Sequence, residues 1–215
     1  MTGRIYRYVV KHDTGAAPNP FGGWCSLAVC KPSIRRTAQV GDWIVGLRSK
    51  APDQVIYAMQ VQERVSFHQY WRDARFRDKR PDRCLSSDNI YRPTSTDALE
   101  LVPNAVHDAR AFDRDTGGRW VLAGQRFWYF GGDSPQLPTE LIHLVHSTQG
   151  HALHINRRED DTKVLARWLK HWRCGLHGRP IDEDRLTPLD SPPASSRCQP
   201  RPKAAPAPRM RQAGC

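Results

Sequence analysis

The residues best suited to chemistry lie early in the chain. The segment Asp13-Thr14-Gly15-Ala16-Ala17-Pro18-Asn19-Pro20-Phe21-Gly22-Gly23 is too polar and too rich in glycine and proline for a core element, so it forms a loop. Asp13 accepts hydrogen bonds and Asn19 both donates and accepts them, which suits both to the edge of a base. The same side chains also brace their own backbone in turns. Cys30-Lys31-Pro32-Ser33-Ile34-Arg35-Arg36 follows, and its cations suit phosphate, arginine as a planar fork and lysine as a point charge; such a run also makes an ordinary solvated face. Asp13 and Cys30, with His12 or His151, can support nucleophilic or acid–base chemistry if the fold brings them together.

Histidines at 143, 146, 151 and 154 form an HxxH-x4-HxxH series, a spacing that can place imidazoles on one helix face. Gly150 interrupts the series, no carboxylate lies within it, and the cysteines contain no C-x-x-C pair, so no metal site is expected. There is no phosphate-binding P-loop, dinucleotide glycine fingerprint or nucleophile elbow, and no cofactor is expected.

The elements that must position these groups read as short strands followed by helices. Ile5 to Val10, Trp24 to Cys30 and Trp43 to Leu47 are rich in β-branched and aromatic residues. Val55 to Val61 is apolar on both faces, as a central strand would be. Trp120 to Ala123 and Arg126 to Phe130 predict a late hairpin closed by Gly131-Gly132. Ser66 can cap a short helix through Trp71, and a second helix is expected near Thr139 to Val145. A third runs from an Asn156 cap, with Glu159 three residues on, to Gly175; Val164, Leu165, Trp168, Leu169 and Trp172 share one face as packing anchors.

A chain of 215 residues with 39% hydrophobic content suffices for one domain and a tail. No apolar run reaches membrane-spanning length. The opening MTGRIYRYVV lacks the pattern of an export signal, so the expected location is the cytoplasm. The net charge of +11 favours a polyanionic partner, although the stretch from Pro188 onward, with five Arg/Lys and one Asp, supplies +4 of it. That stretch also holds seven of the seventeen prolines and few large apolar residues, which predicts disorder.

The pieces APNPFGG, CKPSIRR and VGDWIVG, followed by IYAMQVQERVSFHQYWRDARF, SSDNIYRP, VLAGQRFWYFGG and QGH, resemble the bacterial and phage nucleotide modification associated domain proteins, the second of those families, over roughly residues 4–152. The Gly41-Asp42 strand, IYAMQV and the YWRD helix are similar, by pattern, to PUA-like barrels of the EVE, ASCH and YTH type. The resemblance implies an α+β fold, a small PUA-like β-barrel with flanking helices, over residues 1–178 including an amphipathic helix near 157–174. A Pro-rich basic tail, 179–215, would follow.

The function it implies is binding of nucleic acid or a nucleotide in a DNA-modification or phage-defence setting, with a modified base held in an aromatic-lined pocket. Candidate rings are Trp43, Trp71, Tyr91, Trp128 and Tyr129, joined by Asp13, Asn19, Lys31, Arg35, Arg36 and Asn89 (with Asp88) as polar contacts. The alternative is an enzyme that modifies or hydrolyses a nucleotide or base, using Asp13 with Cys30 or His151. Gly150-His151 matches the end of the family pattern, which would make His151 a pocket residue or proton donor.

Overall fold

Two-sided burial organises the chain. In the computed structural model, which describes residues 3–145 and 161–186, strands β1 (Ile5–Val10) and β2 (Cys25–Leu27) precede helix α1 (Pro32–Thr37). Then come β3 (Trp43–Arg48), β4 (Ala51–Gln60), β5 (Glu63–Val65) and α2 (Phe67–Arg72). The strands β6 (Tyr91–Pro93) and β7 (Leu99–Leu101) are followed by α3 (Phe112–Thr116), β8 (Val121–Gly124) and β9 (Phe127–Tyr129). Helix α4 (Asp161–Leu169) and the short β10 (Gly175–Leu176) complete the set.

Five strands form a mixed sheet in the order β1-β3-β4-β9-β10, with β1 parallel to β3, β10 parallel to β9 and the inner pairs antiparallel. Strand β4 is central, as its two apolar faces predict. On one face Tyr6, Tyr8, Val10, Ile44, Tyr57 and Met59 pack against Leu27, Ile34 and Leu122. On the other, Trp43, Val45, Val55 and Trp128 pack against Leu141, Leu144, Leu165 and Leu169. The tryptophans of the α4 segment act as packing anchors: Trp168 and Trp172 both lie against Phe130. A second, antiparallel sheet, β2-β8-β5, presents Val121 and Ala123 to Phe67, Tyr70, Phe76 and Tyr91. Strands β6 and β7 pair separately.

The fold is therefore mixed α/β, and its strands lie in three sheets that do not close into the barrel expected from the sequence. The expected late hairpin also divides. Strand β8 pairs with β2 and β5, whereas β9 pairs with β4 and β10, so the chain changes sheets between Gly124 and Phe127. Strand β2 stops at Leu27 because the backbone turns into the left-handed region at Cys30 and Lys31. The Ser66 helix forms with a full capping box, Ser66 and Gln69 bonding each other's backbone N–H. The segment Thr139–Leu144 is a 3-10 helix. Asn156 and Glu159 lie outside the described residues, as does the tail from 187 onward. Residues 179–186 belong to the fold: Arg179 accepts from the Gly132 N–H, and Asp182 donates its N–H to Asp13. Among the described residues no helix is long and apolar enough to cross a membrane.

Candidate active site at Cys30

Cys30 sits at the turn between β2 and α1, at φ 57°, and Lys31 follows at φ 43°. Two successive non-glycine residues in the left-handed region are unfavourable, by roughly 1–3 kcal/mol each, and persist only where surroundings fix them. Here the Cys30 N–H donates to Asp115 Oδ1 at 2.8 Å, and Arg35 Nε donates to the Cys30 carbonyl at 2.7 Å. Arg35 is fully buried and also donates to the carbonyls of Trp120 and Asp115. Gly118 leaves room for it, since any Cβ there would meet the guanidinium.

The turn aims the Cys30 thiol at a histidine. Cys30 Sγ lies 3.5 Å from His107 Nε2, and His107 Nδ1 lies 2.6 Å from Asp115 Oδ2. Thiol, imidazole and carboxylate thus form a relay of the kind that activates a nucleophile, with the third group orienting the base. Asp115 is completely buried at the core end of α3, where the Tyr91 hydroxyl donates to its Oδ2 at 2.9 Å and Arg114 Nε to its Oδ1 at 3.2 Å. Burial alone would push this carboxyl up, but the bonds from His107, Cys30 and Tyr91 hold it below the usual carboxylate range. Burial likewise disfavours a charged His107, yet its bonds to Asp115 and Cys30 outweigh that and raise it to about 9.

The donor atoms of Cys30, His107 and Asp115 lie within 4.8 Å of one another, close enough for one metal ion. The carboxylate is already engaged, however: Oδ1 accepts from Cys30 N–H and Arg114, and Oδ2 from Tyr91 and His107. Four donors fill its lone-pair sites, so the arrangement fits a hydrogen-bonded relay better than a metal centre.

Cys30 and His107 open into a cavity of about 560 Å³. Its walls include Tyr8 and Val10 from β1, Lys11, His12 and Thr14 beyond it, Lys31 and Pro32, Arg114, and Arg185 and Leu186 from the C-terminal arm. Lys31 places its ammonium 4.5 Å from the centre of the Tyr8 ring, and burial lowers its pKa. Arg185 donates to His12 Nδ1 at 3.0 Å.

Of the side chains singled out in the sequence, His12, Cys30 and Lys31 meet in this cavity. Asp13 lies behind its wall. It is buried, accepts from the Tyr129 hydroxyl at 2.6 Å and the Ile181 N–H at 3.3 Å, and burial raises it to about 6 despite those bonds. Asn19 is equally buried, bonded to Ser86, Phe21 and Lys79 rather than to open space. Asn89 donates to Tyr70 and Phe76, and Asp88 accepts from Ser26 and Tyr70. Arg35 braces the turn and Arg36 is exposed on α1. The expected stacking rings are mostly core: Trp43, 3% exposed, stacks on Trp128, while Tyr91 and Tyr129 spend their hydroxyls on Asp115 and Asp13. Trp71 is half-buried beneath the Arg80 guanidinium. His143 bonds to Asp161 at 2.9 Å; His146, His151 and His154 lie outside the described residues. His107, Asp115, Arg114, Lys11 and Arg185 join the site unannounced by the sequence, where no local pattern marks them.

A family model described as nucleotide modification associated domain 2 matches residues 2–186. Neither the curated proteins nor the solved structures include a match to the chain.

Proposed function

Because the chain belongs to the nucleotide modification associated domain 2 family, we propose that it is an enzyme acting on a nucleotide or nucleobase, with Cys30 as its nucleophile. The observation that carries this is the Cys30–His107–Asp115 relay, at 3.5 and 2.6 Å, opening into a basic cavity. Cys30 attacks as the thiolate, and its Sγ forms a bond with an electrophilic carbon of the substrate. The bond from that carbon to its leaving group breaks, and the departing group takes its electron pair and a proton from His107, which Asp115 keeps oriented and charged. Water then gives a proton to His107, bonds to the same carbon and expels the Cys30 thiolate, which returns both groups to their starting state. Recognition of a modified base without chemistry draws less support, since four of its five expected rings are buried.

The test is intact-protein mass spectrometry after incubation with mononucleotides, single-stranded DNA and duplex DNA carrying unmodified and modified bases. A substrate-derived mass on Cys30, absent from Cys30→Ser, is expected. Wild-type protein that gains no mass and leaves every substrate unchanged contradicts the proposal.

A further inference from the structure

The cavity wall is electrostatically one-sided. Lys11, Lys31, Arg114 and Arg185 line it and, among the described residues, no carboxylate does. Two of the four have acidic partners set back from the cavity, Arg114 with Asp115 at 3.2 Å and Arg185 with Asp182 at 2.9 Å. Among the described residues, neither Lys11 nor Lys31 forms an ion pair. Lys31 is also half-buried, with its ammonium against the Tyr8 ring, so its charge is partly stripped of water. A cavity of this size lies within the range of small-molecule sites, roughly 300–1,000 Å³.

A desolvated cation is stabilised most by a concentrated negative charge. A phosphodiester carries one negative charge, whereas a terminal phosphate carries roughly 1.5 to 2 near neutral pH and offers three acceptor oxygens. The cations come from separate parts of the chain: Lys11 after β1, Lys31 before α1, Arg114 in α3 and Arg185 in the arm. All four line one cavity of about 560 Å³, which suits a compact group, whereas an extended backbone calls for a charged groove.

We propose that the cavity takes a free nucleotide by its terminal phosphate, held by Lys11, Lys31, Arg114 and Arg185, with the rest of the molecule directed toward Cys30. This rests on Cys30 being the reactive group of the site. A second groove, past Arg110, adjoins the cavity at His107 and Arg114 and gives a polynucleotide a place to run. An oligonucleotide is therefore the decisive comparison.

The probe is the rate at which iodoacetamide alkylates Cys30 in the full chain, read by peptide mass spectrometry. It is measured alone and with inorganic phosphate, 2′-deoxynucleoside 5′-monophosphates, the matching nucleosides, or a single-stranded oligonucleotide with hydroxyl ends. Phosphate and at least one monophosphate should slow alkylation, with half-protection at a concentration at least about tenfold lower for the monophosphate than for its nucleoside or, per nucleotide, the oligonucleotide. Lys11→Ala with Arg185→Ala should raise the phosphate concentration needed by about tenfold or more, with the melting transition reporting that the variant folds. An oligonucleotide that protects as well as the monophosphate overturns the free-nucleotide assignment. Rapid alkylation unaffected by any phosphate overturns the phosphate site while leaving the nucleophile standing. Slow alkylation of the ligand-free protein, with phosphate still shown to bind by calorimetry, counts against the nucleophile alone.

Discussion

Two buried polar clusters lie near each other in this fold, and they differ in how they end. Beneath the loop from Asp13 to Gly23, Lys79 Nζ donates to Asn19 O, Asn19 Oδ1 and Trp24 O at 2.7–2.9 Å. Asn19 Nδ2 donates to Ser86 O, and Asp88 accepts from Ser26 and Tyr70 at 2.7 Å each. Burial lowers Lys79 to about 8 and raises Asp88, but each main polar group has a partner and none lines the cavity at Cys30. The Cys30 cluster begins in the same way, with a fully buried Asp115 that accepts four donors. It ends on a thiol and an imidazole in a cavity wall. Burial and perturbed pKa values are common to both, so neither marks function. The open end does.

Removing the charge from the closed cluster should have the largest effect on stability. Lys79→Met removes three charge-assisted hydrogen bonds from the core, to Trp24 O and to Asn19 O and Oδ1, which keep only Ser26 and Phe21 as donors; at about 1–3 kcal/mol for each lost bond the variant should lose about 3 kcal/mol or more in denaturant unfolding. A loss below about 1 kcal/mol would mean that the cluster does not hold the loop.

Asp13 comes next, because it ties the loop to the C-terminal arm that walls the cavity. Its folded pKa of about 6 lies above the ordinary aspartate value of 3.8, so the fold favours its protonated form. That contribution is present below about pH 4 and is lost as the pH rises through about 6. Relative to Asp13→Asn, wild type should therefore lose about 3 kcal/mol of stability across that window. Parallel stability–pH curves for the two proteins would rule out a raised Asp13.

At the open cluster, Cys30→Ser should change stability by no more than about 1 kcal/mol while abolishing adduct formation. A strongly destabilised serine variant would place Cys30 with the structural residues. Smallest of all, Arg36→Ala should stay within about 0.5 kcal/mol, because Arg36 is exposed; a larger loss in thermal melts would show that its side chain braces α1.

Much of the framework was legible because it rests on short-range pattern. β-Branched and aromatic content located β1 and β3, the two apolar faces of Val55 to Val61 located β4, and Ser66 located α2. Cys30 and Lys31 were legible as chemistry by type and position. The partners of Cys30 were not, since His107 and Asp115 lie 77 and 85 residues further on and meet it only through packing of α1 against α3. Asn19 looked like a base reader because its partner Lys79 is 60 residues away. Arg35 and Arg36 are adjacent identical residues with opposite fates. Pro32 starts α1 such that Ile34 and Arg35 face inward, and charge counting cannot separate them. Tyr91 was chosen for its ring but contributes its hydroxyl, to Asp115. The single barrel failed because nothing local in VLAGQRFWYFGG shows that its two strands join different sheets.

The most direct test of the central claim is the pH-resolved rate of Cys30 alkylation by iodoacetamide in wild type and in His107→Gln. With His107 raised to about 9, its imidazolium stands 3.5 Å from the Cys30 sulfur at neutral pH and loses its proton as the pH rises through that value. Wild type should react at least about tenfold faster than the variant near neutral pH, and the advantage should shrink above about pH 9. Equal rates for the two proteins at neutral pH would contradict Cys30 as an activated nucleophile.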